Sequence, residues 1–179
     1  RLELAREEFD SDDLDAVDRA LGRMDALIDD LLTLASEGDY VQELEPVNIG
    51  DLARGCWANV GTKDATLDVA SETTIRADRS RLKQLFENLF RNAVEHGGAD
   101  VTVTLGGQGE TFYVEDDGLG IPPEDRETIF EPGYSTTQEG TGFGLSIVKE
   151  IVDGHGWDIE ITNGETGGAR FEISGVASA

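Results

Sequence analysis

The chain has 179 residues, with 38 Asp and Glu against 14 Lys and Arg, for a formal net charge of −24. That length fits one domain plus an appendage, and so acidic a surface repels nucleic acid and anionic lipid, excluding both as partners of this stretch. One Cys rules out a disulfide framework and suits a reducing cytoplasm, while no apolar run approaches the ~20 residues a membrane span needs, so any sensor or membrane-associated part is expected elsewhere.

In chain order, Leu2, Leu4, Ala5 and Phe9 form a short apolar stripe, followed by capping oxygens in Asp10-Ser-Asp-Asp13. Leu14, Val17, Leu21, Met24, Ile28, Leu31 and Ala35 then follow a 3-4 spacing, an unbroken heptad seam that Leu27 and Leu34 widen. The breadth of this face favours a self-associating helical bundle over residues 14–35 rather than a helix packed only on its own domain. The predicted organisation is a helical hairpin over residues 1–36, a linker over 37–47 containing Pro46, a globular domain over 48–175, and a tail over 176–179.

Within the globular part, residues 49–60 suit a helix with Leu52 and Trp57 inward. Segments 101–105, 111–116, 157–162 and 170–174 alternate apolar and polar residues with period two, and Leu67 and Val69 mark a weaker fifth strand. Strands buried on one face imply a mixed or largely antiparallel sheet covered on one side by helices, here over 78–95 and 143–153. The predicted fold class is α+β, a two-layer α/β sandwich. Cys56, beside Trp57, reads as a buried filler because no paired base is evident.

Three clusters carry chemistry. On the helix over 78–95, Leu82, Leu85, Phe86, Leu89 and Ala93 form the buried stripe, while Asn88, Asn92 and Glu95 line an adjacent polar one. Asp78 is a plausible cap and Gly97-Gly98 a plausible stop. An amide oxygen is a neutral hard ligand suited to Mg²⁺, although two Asn on a solvated face are the plainer alternative. Asp116 shares parity with Phe112 and Val114, so it points toward the helices. A carboxylate there needs a donor, such as the exocyclic amine of adenine, and Gly118 and Gly120 would let a flat base come close. An ordinary Asp-rich turn is the alternative. Gly140, Gly142 and Gly144 alternate before a helix opening at Leu145, where free N–H groups can hold phosphate. Pro122, Pro123, Pro132 and Gly133 punctuate the long connection over 119–139, of the kind expected for a mobile lid.

In combination, Gln84–Asn92, Asp116–Ile121, Ile129–Pro132 and Gly140–Leu145 resemble the N, G1, F and G2 boxes of sensor histidine kinases, members of the GHKL superfamily, over residues 47–175. The resemblance implies the Bergerat-type ATP-binding fold, with ATP and Mg²⁺ as ligands. It implies Asn92 as metal ligand, with Asn88 beside it as the second catalytic amide, and Asp116 at the adenine amine. It further implies Gly118, Gly120 and Ile121 at the base, Gly140, Thr141, Gly142, Gly144 and Leu145 around the phosphates, and Glu95 and His96 at the pocket. Residues 14–35 look like the second helix of that family's dimerisation bundle, and residues 1–9 like the tail of the first, so a homodimer and a response-regulator receiver domain are the implied partners. Glu95 stands where the family usually has a phosphate-contacting Lys, His96 where an aromatic is common, and Ala169 near a usual Thr.

By that resemblance the phosphoacceptor histidine would lie on the first bundle helix, shortly before Arg1. The chain has only His96 and His155, and His155 reads as structural. A gyrase-like or Hsp90-like hydrolase would need Glu where Asn88 stands, and Asn cannot take a proton. An anti-sigma-type serine kinase would not need the heptad seam. A nucleotide-responsive dimerisation module without catalysis is the alternative from a different class. With only three Lys among so many carboxylates, the composition points to a halophilic, haloarchaeal-like origin. Circular dichroism is expected to show structure lost at low salt and regained at molar salt, as screening relieves self-repulsion; full stability at low salt would contradict this.

Overall fold

A computed structural model describes Met24 and residues 43–60, 64–98, 100–134 and 142–179. The helical hairpin and heptad seam expected within residues 1–36, together with Gly140 and Thr141, lie outside the described residues.

The elements run β1 (Glu45–Asn48), α1 (Ile49–Trp57), β2 (Thr66–Val69), β3 (Thr74–Ala77), α2 (Arg79–Gly97), β4 (Thr102–Gln108), β5 (Thr111–Asp116), a 3-10 turn (Thr128–Phe130), α3 (Gly144–His155), β6 (Asp158–Asn163) and β7 (Ala169–Ser174). Five strands form one sheet in the order β2-β4-β5-β7-β6. β2 joins β4 in parallel, and the other neighbours are antiparallel. This is the mixed, half-covered sheet that the period-two patterns imply, and the chain has an α+β fold.

Two strands escaped the sequence pattern. β1 pairs antiparallel with β3, from Glu45 opposite Ala77 to Asn48 opposite Thr74. β1 starts inside the stretch read as linker, and Pro46 sits within it, as an edge strand tolerates. The chain end lies against β3: Arg76 N–H donates to Ala177 O at 2.9 Å, and Ala179 N–H to Thr74 O at 3.2 Å. β1 holds Pro46 and only one buried apolar residue, Val47, and β3 gives only the single pair Ile75 and Ala77, so neither shows a clear alternation.

Helix boundaries follow local chemistry. Asn48 ends β1 and caps α1, accepting from Asp51 N–H at 2.9 Å. Asp78 caps α2 by accepting from Ser80 N–H and Arg81 N–H, and α2 stops at Gly97 before Gly98 at φ 111°. α3 ends at Gly156 (φ 72°), where Gly156 N–H reaches Asp153 O and Trp157 N–H reaches Val152 O, both at 3.0 Å. That pair of bonds is a Schellman ending.

The core lies between the sheet and the helices. The predicted α2 stripe is buried in full, with Phe90 added. Aromatic rings carry the packing from α1 to the start of β6. Trp57 meets Phe90 edge-on at 5.3 Å, Phe90 stacks on Phe86 at 5.7 Å, and Phe112 stands edge-on to both Phe86 and Trp157 at 6.0 Å. Cys56 is 1% exposed, and burial pushes its thiol up to about 11, so it is a filler as expected. No helix among the described residues is long and apolar enough to cross a membrane.

Phe86 is the shared member of the ring series. Phe86→Ala is expected to destabilise the domain by about 3–5 kcal/mol in urea unfolding. A loss under about 1 kcal/mol would show that the rings do not carry the core.

Candidate functional site

Asp116 closes β5 beside buried Phe112 and Val114 and is itself half-buried. Its Oδ1 accepts from Gly118 N–H at 2.9 Å and from Ala169 N–H at 3.3 Å. Both bonds use one oxygen, so among the described residues Oδ2 is left for another donor. Burial pushes the carboxyl above the ordinary range, and the two backbone bonds oppose that rise.

The glycines around this turn have a cause within the chain. A Cβ on Gly118 would lie 2.5 Å from Gly97 Cα, so the turn rests on the end of α2. Gly168, at φ 69°, brings the β6–β7 hairpin against Asp116: a Cβ there would lie 1.9 Å from the Asp116 carbonyl oxygen. At Gly118 the bare backbone is therefore needed for contact with Gly97. Gly120 and Ile121 continue the turn, and Ile121 is partly buried against the core.

The two amides do not lie on a solvated face, which was the plainer alternative for them. Asn88 is buried, at 4% exposure, and Asn92 is half-buried, because α3 lies across this face of α2. Asn88 donates through Nδ2 to Gln84 O at 3.0 Å. That bond fixes the amide and leaves Oδ1 buried without a partner; Asn92 Nδ2 is likewise buried and unpaired. An orphaned buried polar atom costs about 1–3 kcal/mol, so one acceptor and one donor side by side mark a place for a polar ligand. A Cβ on Gly144 would lie 3.3 Å from Asn88 Oδ1 and 3.7 Å from Asn92 Oδ1, so glycine at the start of α3 keeps that helix against the two amides.

Phe143 gives α3 no side-chain cap, so among the described residues first-turn N–H groups are left for an anion. Gly142, at φ 75°, precedes it, and Leu145 is half-buried. Glu95 and His96 are exposed near the end of α2. The connection from residue 119 makes its own bonds to the fold as far as Tyr134. Arg126 donates to Ile121 O at 3.1 Å and Ile161 O at 3.2 Å and also bonds Asn163, while Ile129 is buried. Gly133 N–H donates to Gly142 O at 3.0 Å.

The structure thus gathers the Asp116 turn, the asparagine pair and the start of α3 around the C-terminal half of α2. Sequence reasoning missed the hairpin over 164–168 and the Ala169 N–H. The density of Gly164, Gly167 and Gly168 was the available signal.

The profile described as "Histidine kinase-, DNA gyrase B-, and HSP90-like ATPase" matches residues 77–175. The chain belongs to that family. Its matched part is the family's ATP-binding domain, and its α+β architecture is that of histidine kinase catalytic domains. Sensor histidine kinase ZraS of Escherichia coli O157:H7 is 42% identical over 103 residues, covering 55% of this chain and 22% of ZraS. The chain therefore spans about a fifth of that relative's length. The catalytic domain of histidine kinase ThkA is 30% identical, with a TM-score of 0.62 over 76% of this chain and 96% of that one. Full-length ShkA in complex with AMPPNP is also 30% identical, with a TM-score of 0.70 over 93% of this chain and 38% of ShkA.

For this ATPase-family domain, Asp116 carries a stability consequence. A carboxyl with a raised folded pKa destabilises the fold once ionised; that effect is absent below the unfolded value of about 4 and complete above the folded one. Asp116→Asn keeps an oxygen for both backbone donors. It is expected to raise the Tm of the unliganded domain at neutral pH, with the gain disappearing near pH 3. An equal or lower Tm at neutral pH would contradict the assignment.

Proposed function

We infer that this chain is the ATP-binding catalytic core of a two-component sensor histidine kinase. The observation that carries the reading is the buried, unpaired pair Asn88 Oδ1 and Asn92 Nδ2 beside the uncapped start of α3. One acceptor, one donor and a set of backbone N–H groups suit a metal-bound polyphosphate. Asp116 Oδ2 is the acceptor for the adenine amine, with Gly118, Gly120 and Ile121 along the base. Gly140, Thr141, Gly142, Gly144 and Leu145 hold the phosphates, and Glu95 and His96 flank the pocket.

The amide donor set fits Mg²⁺, with Asn92 as the ligand and Asn88 beside it; bound there, the ion would neutralise phosphate charge that Glu95 cannot. The chain's own contribution is to hold the γ-phosphoryl in line and out of water. The bond from the γ-phosphorus to the β–γ bridging oxygen breaks, a bond to a histidine nitrogen forms, and ADP leaves. His155 is not the acceptor, since both its ring nitrogens are engaged within the fold. The acceptor histidine, a homodimeric bundle through residues 14–35, and onward transfer to a response-regulator aspartate complete the proposal. Residues 48–175 form the catalytic domain and 1–36 belong to the bundle, on the cytoplasmic side.

Hydrolysis of the gyrase or HSP90 kind is disfavoured. Buried Asn88 holds the position where a general base would stand, and Glu87 pairs with Lys83 at 3.6 Å. The isolated chain is accordingly expected to show little steady-state ATP hydrolysis.

Calorimetric titration with ATP and Mg²⁺ tests the site. The double variant Asp116→Ala, Asn92→Ala is expected to bind at least about a hundredfold more weakly, from the loss of two buried polar contacts. Undiminished binding would overturn the reading. Adding a bundle helix that carries a histidine, with labelled ATP, should yield acid-labile phosphate on that helix; its absence despite ATP binding would favour a non-catalytic, nucleotide-responsive module.

A further inference from the structure

His155 links the two helices that carry the pocket, at the end remote from it. Its Nε2 accepts from Asp78 N–H at 3.0 Å, and its Nδ1 faces Ile151 O at 2.8 Å. The ring stacks on Trp157 with centroids 4.1 Å apart. Since Nε2 accepts a hydrogen, Nδ1 carries the proton and donates it to Ile151 O.

The bond to Asp78 fills a defined gap. Asp78 caps α2, and its side chain satisfies Ser80 N–H and Arg81 N–H. In a capping box, a Glu or Gln three residues into the helix would return a bond to the N–H of the cap residue itself. Here that place holds Arg81, which has no acceptor. The acceptor comes instead from α3, through His155, so the capping box is completed between helices.

The consequence for the pocket is geometric. α2 and α3 run antiparallel, because the start of α2 meets the end of α3 while Asn88 meets Gly144. At 1.5 Å per residue, Asp78 to Asn88 and His155 to Gly144 both span about 15–17 Å. A bond at one end of matched rods sets their axial register at the other. There, a Cβ on Gly144 would lie 3.3 Å from Asn88 Oδ1, tight enough that the amide would have to give a little.

We propose that His155 is a positioning residue: as the neutral imidazole it bolts α3 to the cap of α2 and so sets the separation between the asparagine pair and the phosphate-binding start of α3. This rests on the nucleotide-binding reading of the site. Protonation removes the Nε2 acceptor and turns an N–H toward the Asp78 N–H, which releases the bolt. Desolvation on burial keeps the ring neutral and holds its pKa below the ordinary value, outweighing the Ile151 carbonyl and the Asp78 carboxylate; Arg81 also favours the neutral form. For a depressed histidine, stability is complete above the unfolded value of about 6.5 and is lost as pH falls through the folded one.

His155→Gln supplies an acceptor and a donor without titrating, and His155→Phe keeps the ring over Trp157 without either. The 179-residue chain and both variants are compared at a temperature where all are folded. Two readouts are followed from pH 8 to pH 5: the amide shifts of Gly144 and Asn88, and ATP affinity with Mg²⁺. In the parent chain, the Gly144 and Asn88 shifts are expected to titrate together with the His155 ring, and affinity to fall by about tenfold, the scale of a small misplacement in a site. In His155→Gln both readouts should lose that titration, and His155→Phe at pH 8 should resemble the parent at pH 5. Gly144 and Asn88 shifts in His155→Phe that match the parent would overturn the proposal and leave His155 a stabiliser only. No ATP binding by the parent at pH 8 would instead overturn the nucleotide reading, while the shifts would still decide whether the bolt exists.

Discussion

The contact between α2 and α3 is the constraint on which the rest of the structure depends. Helix α2 is asked to serve two neighbours. Leu82, Leu85, Phe86 and Leu89 are buried in the core, while Asn88 and Asn92 turn toward the start of α3. An apolar contact tolerates small shifts in register, but two amides with unpaired buried atoms do not. Their worth depends on what stands opposite them. Glycine at position 144 and the His155 bond at the other end of α3 limit that shift from both sides.

The same economy governs the Asp116 turn. Its glycines are occupied with the chain's own backbone, Gly118 on Gly97 and Gly168 on Asp116. The turn is thereby clamped between the end of α2 and the β6–β7 hairpin. A clamped carboxylate with one oxygen committed and one open is preorganised for a single further donor. The rise in its pKa is the mark of that arrangement: the unliganded domain holds a partly desolvated acid that a ligand's hydrogen bond would relieve. The large negative charge of the chain sets the background for this site. With few cations to offset it, and with Glu95 exposed at the end of α2, the proposed polyphosphate would need its charge neutralised by its own metal and by backbone N–H groups.

Much of this was legible before folding. The α2 stripe, the capping by Asp78, the stop at Gly97-Gly98, the four longer strands and the burial of Cys56 follow from periodicity and local capping chemistry, which act over a few residues. The strands β1 and β3 did not show, because Pro46 argues against a strand in β1 and β3 offers only the pair Ile75 and Ala77. That α3 covers Asn88 did not show, since a helical wheel reports the angle of a side chain and not what lies beside it. The hairpin over 164–168 was passed over because its partner, Asp116, is about fifty positions earlier.

The residue sequence by itself determined the family and the fold class, because these rest on short-range pattern and on motif spacing. Only the tertiary structure decided which polar atoms are left unpaired, which glycines are needed for backbone contact, and that His155 completes the cap of a helix 77 residues away. Those properties arise where segments distant in the chain meet, and hydrogen bonding and close approach are set by that meeting and not by any single segment.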